Sequence, residues 1–199
     1  MGGTVKAAAA ALLVFDLVRG SLAPAAPLDY SSFTQTLRDK RVRSVESALA
    51  ELPDDYWSYY VLMRDSRSSQ PSSAAFPRVI LSGLDGRFIV AFNGDPAAAG
   101  HDRLETMEVT GDGDAFELHQ IVFPESGNTL AEPVFSEANP GQCLVCHQRS
   151  PRPNWDTYPN WLGAYGEQDD TLPAKERADY QAFVLQAPQL ERYRRLQRP

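Results

Sequence analysis

The chain has 199 residues, is 43% hydrophobic and 23% charged, and carries a formal net charge of −7. That composition excludes a disordered or wholly membrane-embedded polypeptide and suits one globular domain. Its acidity excludes a nucleic-acid partner, because no block of basic residues with interleaved aromatics appears apart from Arg192, Arg194, Arg195 and Arg198 at the C-terminus.

The opening residues place the amino terminus and Lys6 before an apolar run, Ala7 to Phe15, and then Ala23-Pro24-Ala25, an A-x-A cleavage site. This pattern predicts a signal peptide over 1–25, with the mature chain starting at Ala26. Asp16 and Arg19 shorten the apolar run too far for it to span a bilayer, so no membrane span is expected after cleavage. The competing reading is a buried N-terminal helix.

Apolar residues at 33, 37, 42, 45, 49 and 52 predict a helix over 31–53, stopped by Pro53. The aromatic-rich DDYWSYYVLM, 54–63, is expected to pack on the core, and RDSRSSQPSSAAFP, 64–77, reads as a loop. Four β-rich runs follow, RVILSG, RFIVAFNG, RLETMEVT and AFELHQIVF, with short Gly-Asp turns within each pair. They predict two hairpins and an antiparallel meander over 78–123.

Pro124, Pro133, Pro140, Pro151, Pro153 and Pro159 exclude continuous helix or strand from 124 to 166. A last helix over 173–196 is broken at Pro188. The fold class expected is α+β: an antiparallel β-meander flanked by an N-terminal helix, a Pro-rich segment at about 124–166 and a C-terminal helix, making a single domain over 26–199.

Both cysteines fall in Cys143-Leu144-Val145-Cys146-His147, the C-x-x-C-H spacing of covalent haem attachment. Thiols three residues apart on a helical turn reach the two vinyl groups on a haem edge, and the adjacent imidazole turns toward the iron. Asn139-Pro140 is a fitting turn into that helix. A zinc site would have to recruit distant His101, His119 or a carboxylate, because no second C-x-x-C exists. A redox pair lacks a βαβ context, and Leu-Val between the cysteines does nothing to lower a thiol pKa. A plain disulfide is the bland alternative. An export signal favours haem, since bacteria attach haem covalently outside the cytoplasm.

Small helical cytochromes carry the motif near the N-terminus and a methionine after it, whereas no Met or His follows His147 here. Four-helix cytochromes with a C-terminal motif do not match the strands that precede Cys143. A lysine cross-linked β-sheet cytochrome matches the element order, but the mature chain has only Lys40 and Lys175, neither in the sheet. The stretches LMRDSRSSQ (62–70), FPRVILSG (76–83), RFIVAFNGD (87–95), NPGQCLVCH (139–147) and RPNWDTYPNWLGAYG (152–166) resemble a group of bacterial exported proteins with one haem-c motif. The resemblance implies one covalent haem c without assigning a role.

Cys143, Cys146 and His147 are therefore the expected haem-binding residues, with His147 an iron ligand. Trp155, Tyr158, Trp161 and Tyr165 recur at helical spacing and are candidates for the haem wall, against the alternative that they are ordinary core. Arg149 and Arg152 are placed to neutralise propionates. A sixth iron ligand must come from upstream: Met63 first, then His119, with Met107 next, while His101 after Gly100 is expected to meet solvent.

The expected function is that of a periplasmic mono-haem c-type cytochrome-like protein that transfers electrons, with basic redox partner proteins expected from the acidic surface. The alternatives are a haem-based gas sensor or a peroxidase-like enzyme with an open distal site, and a non-haem structural protein with a zinc or disulfide C-x-x-C.

Overall fold

The computed structural model describes residues 27–124, 131–148, 151–152 and 160–197, so the expected signal peptide lies outside the described residues. The helix expected over 31–53 is two helices, α1 (Tyr30–Asp39) and α2 (Val45–Ala50). Phe33 and Leu37 are four apart, but the next apolar position, Val42, comes five later and out of phase with a helical stripe. The chain resolves the mismatch by turning at Arg41 (φ 54°) and restarting at Ser44, whose hydroxyl accepts from the Ser47 amide at 3.1 Å. Phe33, Leu37, Val42, Val45, Leu49 and Leu52 are all buried as a result. A capping box between Asp29 and Ser32 starts α1.

A single 3-10 turn, Asp54–Ser58, buries Tyr56 and Trp57 and leads into β1 (Tyr60–Met63). The expected meander follows as β2 (Arg78–Ser82), β3 (Phe88–Phe92), β4 (Arg103–Thr110) and β5 (Ala115–Val122). A two-residue β6 (Val134–Phe135) completes a six-stranded antiparallel sheet in sequence order. The expected four strands are thus extended by one on each edge. After α3 (Gly141–His147) come α4 (Ala174–Gln186) and a 3-10 turn at Ala187–Gln189, where Pro188 ends the helix.

Residues directly opposite one another in a ladder share a face, so the register sorts the strands into two surfaces. Leu62, Val79, Leu81, Phe88, Val90, Phe92, Leu104 and Ile121 make the inner face. They form one cluster with Phe33, Leu37, Leu49, Trp57, Phe183 and Tyr193. Tyr193 meets Phe183 edge-on and Phe92 at a tilt of 39°, and donates to the Pro77 carbonyl at 2.9 Å. The outer face carries Met63, Ala91, Met107 and Leu118, which are buried but not part of that cluster. No helix among the described residues is long and apolar enough to cross a membrane.

Candidate functional site

The motif forms α3, and the residue that aims it is Asn139. Asn139 takes the left-handed conformation (φ 57°), its amide donates to the Leu118 carbonyl at 2.8 Å, and its Oδ1 accepts from the Leu118 amide at 3.0 Å. It thereby continues the pairing of β5 past the end of β6 and turns the chain into Pro140. The Pro140 carbonyl then accepts from the Cys143 amide at 2.8 Å. A second tie holds the helix over the sheet: Gln142 Nε2 donates to Gln120 Oε1 at 2.8 Å. Gln120 is an outer-face residue, so α3 belongs to that face.

Within α3, Cys143, Cys146 and His147 stand at i, i+3 and i+4, the spacing that puts three side chains on one helical face. Both cysteines are free; Cys143 is half-buried and Cys146 exposed. Val145 is exposed as well. Burial, helped by the charge of Glu105 and by neighbouring Cys146, pushes the Cys143 thiol up to about 11.

His147 Nδ1 lies 2.8 Å from the Arg152 carbonyl oxygen. A carbonyl can only accept, so Nδ1 is the donor, and in the neutral imidazole the lone pair then lies on Nε2. That is the tautomer a metal-bound imidazole needs, with its far nitrogen held by a carbonyl. Arg152, the candidate to neutralise a propionate through its guanidinium, also meets the motif through its backbone, and its side chain is exposed.

Trp155, Tyr158 and Arg149 lie outside the described residues. Trp161 is half-buried. Tyr165, also read as haem wall, belongs to the core cluster: it packs edge-on against Tyr180 at 5.2 Å and donates to the Ala74 carbonyl at 3.3 Å. The Gly163 carbonyl accepts from the amides of Arg64 and Asp65, and Met63 bridges Ala164, so residues 163–164 lie at β1, the edge of the sheet opposite α3.

Beside α3 the outer face carries a chain of polar contacts that the sequence did not reveal. Gln142 reaches Gln120, Gln120 Nε2 donates to Glu105 Oε1 at 3.4 Å, and Arg78 Nη2 donates to Glu105 Oε2 at 2.7 Å. Arg78 Nε in turn donates to Oε1 of the fully buried Gln70 at 3.0 Å. Burial lowers the Arg78 pKa, while Glu105 acts in the opposite direction. These residues lie far apart in sequence, and only the cross-strand register of β2, β4 and β5 signals that they meet.

The candidate sixth ligands separate by face. Met107 is the cross-strand partner of Leu118, the residue Asn139 grips, so it lies in the strand next to the one carrying α3. Met63 is on the same face but on β1, three strands from β4, about 14 Å across the sheet. His119 pairs with Thr106 on the inner face, away from α3, with its ring stacked on Tyr30 at 3.7 Å. His101 does not simply meet solvent: its Nδ1 accepts from Arg192 at 3.0 Å, and burial together with Arg192 lowers its pKa.

Fold and site together define a mixed helix-and-sheet protein whose outer sheet face presents a C-x-x-C-H helix. No family model matches the chain, and no significant match was found among curated proteins or solved structures.

Proposed function

We propose that this chain is an exported mono-haem c-type cytochrome-like protein that transfers electrons. The observation that carries the reading is the state of α3: two unpaired thiols and a histidine on one helical face, with Nδ1 of His147 held by the Arg152 carbonyl and Nε2 left available. Cys143 and Cys146 would hold the haem edge and His147 Nε2 the iron, and the group supplies a one-electron couple when bound. The competing uses of C-x-x-C fit less well. Structural zinc and redox chemistry both need thiolates, and the surroundings of Cys143 favour the protonated thiol.

The geometry supports Met107 ahead of Met63 as a distal ligand, because Met107 is a neighbour of the strand from which α3 hangs. A second reading, a gas-binding sensor with five-coordinate iron, is favoured by the absence of Met and His from residues 148–199 and by the placement of His119 on the other face. The same placement counts against peroxidase chemistry, for which His119 was the only attractive distal acid-base group. Acidic charge remains the argument for basic redox partners.

Optical spectra of the full chain, matured with haem in a bacterial periplasm, test the proposal. Low-spin six-coordinate iron that cycles reversibly between oxidation states is the expected result. High-spin iron that binds added carbon monoxide would move the reading to the sensor, and protein without haem would overturn both.

A further inference from the structure

On the inner face, at the end of the sheet where α1 begins, Glu108 and Glu117 stand directly opposite each other in the β4–β5 ladder, and His119 follows two residues along the same face. Like charges in directly opposed positions of an antiparallel pair destabilise the sheet. The side chain of Glu108 is only 15% exposed, which makes the repulsion less screened than at a surface.

The imidazole of His119 deepens the puzzle. Its side chain is 6% exposed, yet neither ring nitrogen has a hydrogen-bond partner. Nε2 lies 3.6 Å from Glu117 Oε2 and 3.9 Å from Glu108 Oε1, both beyond hydrogen-bond length. Buried polar groups are nearly always hydrogen-bonded, so an imidazole with no hydrogen bond and only long ion-pair contacts to two carboxylates calls for a missing partner.

We propose that Glu108, Glu117 and His119 form a binding site for one divalent transition-metal ion of the zinc class, independent of the C-x-x-C-H motif. The three donor atoms lie within 4.8 Å of one another. Zinc takes nitrogen and carboxylate oxygen at about 2.0–2.2 Å, which places tetrahedral donors about 3.4 Å apart, so both measured separations need to close by only a few tenths of an ångström. The mixed nitrogen and oxygen donor set favours zinc over magnesium or calcium, which prefer oxygen alone.

The site is also held in place from outside. Tyr30 stacks on His119 at 3.7 Å with an interplanar angle of 11°, which fixes the imidazole plane. Glu108 Oε2 accepts from the Tyr30 amide at 2.8 Å, leaving Oε1 for the ion. Three protein donors leave a fourth position for water, and Glu117, 41% exposed, gives access from solvent. The ion would clip the start of α1 to the β4–β5 hairpin.

Isothermal titration of zinc chloride into the full chain carrying Cys143→Ser and Cys146→Ser excludes the thiols as ligands. The proposal expects one zinc per chain, a rise in melting temperature on loading, and at least about tenfold weaker binding in Glu117→Gln. It also expects loss of binding in His119→Gln. Glu117 is exposed enough that its variant keeps the fold even where His119→Gln does not. Absence of saturable binding in a folded chain, or binding unchanged in Glu117→Gln, would overturn the proposal.

Discussion

The two faces of the sheet are built on different principles. The inner face is mainly an apolar layer in which Phe88, Val90 and Phe92 meet Phe33, Leu37 and Tyr193, with Glu108, Glu117 and His119 confined to one end. The outer face holds a smaller apolar group, Ala91, Met107 and Leu118, crossed by the contacts that run from Gln70 through Arg78, Glu105 and Gln120 to Gln142 on the motif helix. The difference divides the labour: dispersion and burial on one side hold the domain together, while directional hydrogen bonds on the other fix where α3 sits. Such bonds contribute little net stability but specify geometry.

Substitutions on the two faces should therefore fail in different ways. Phe88→Ala empties a position 1% exposed and is expected to destabilise the fold by about 3–5 kcal/mol in urea denaturation, with the spectrum of the folded fraction unchanged. Glu105→Gln leaves Arg78 without its countercharge and is expected to cost about 3 kcal/mol, much of it recovered in the Arg78→Met, Glu105→Met double variant. Unlike the Phe88 change, it should also bring the Cys143 thiol part of the way down from about 11, because the Glu105 charge is one of the causes of that shift.

Smaller effects sharpen the same contrast. In the haem-free chain the Cys143 pKa rises from 9.0 unfolded to about 11 folded, so the native state holds the proton more tightly between those values. The associated stability is complete below pH 9.0 and is lost as pH rises toward 11. Iodoacetamide at pH 8 should accordingly modify Cys143 at least about ten times more slowly than exposed Cys146, as read by peptide mass mapping. Ser44→Ala, far from the outer face, should cost about 1 kcal/mol by loss of the α2 cap and leave thiol reactivity unchanged.

Local signals made much of the fold legible. The meander from β2 to β5 showed in alternating β-rich runs and Gly-Asp turns, which act over a few residues. The break between α1 and α2 was also written in the sequence, as the five-residue step from Leu37 to Val42 and the capping serine at 44, but an average over the whole stretch hides it. β1 was hidden because Tyr60 to Met63 reads equally well as core packing, and β6 because two residues between prolines carry no period. At the candidate site the motif was plain from its spacing. Its supports were not: Gln120, Glu105 and Arg78 meet only once the register of three strands is set, and the separation of His119 from Met107 depends on which face each strand turns to the core.

The proposed cytochrome function stands or falls with covalent attachment of haem to Cys143 and Cys146. Acid-acetone extraction of denatured, periplasmically matured protein tests it most directly. The wild-type polypeptide should keep its haem absorbance and gain the mass of one haem, while Cys143→Ala, Cys146→Ala should keep neither. Extraction of all haem from the wild type, or a mass equal to the polypeptide alone, would contradict it.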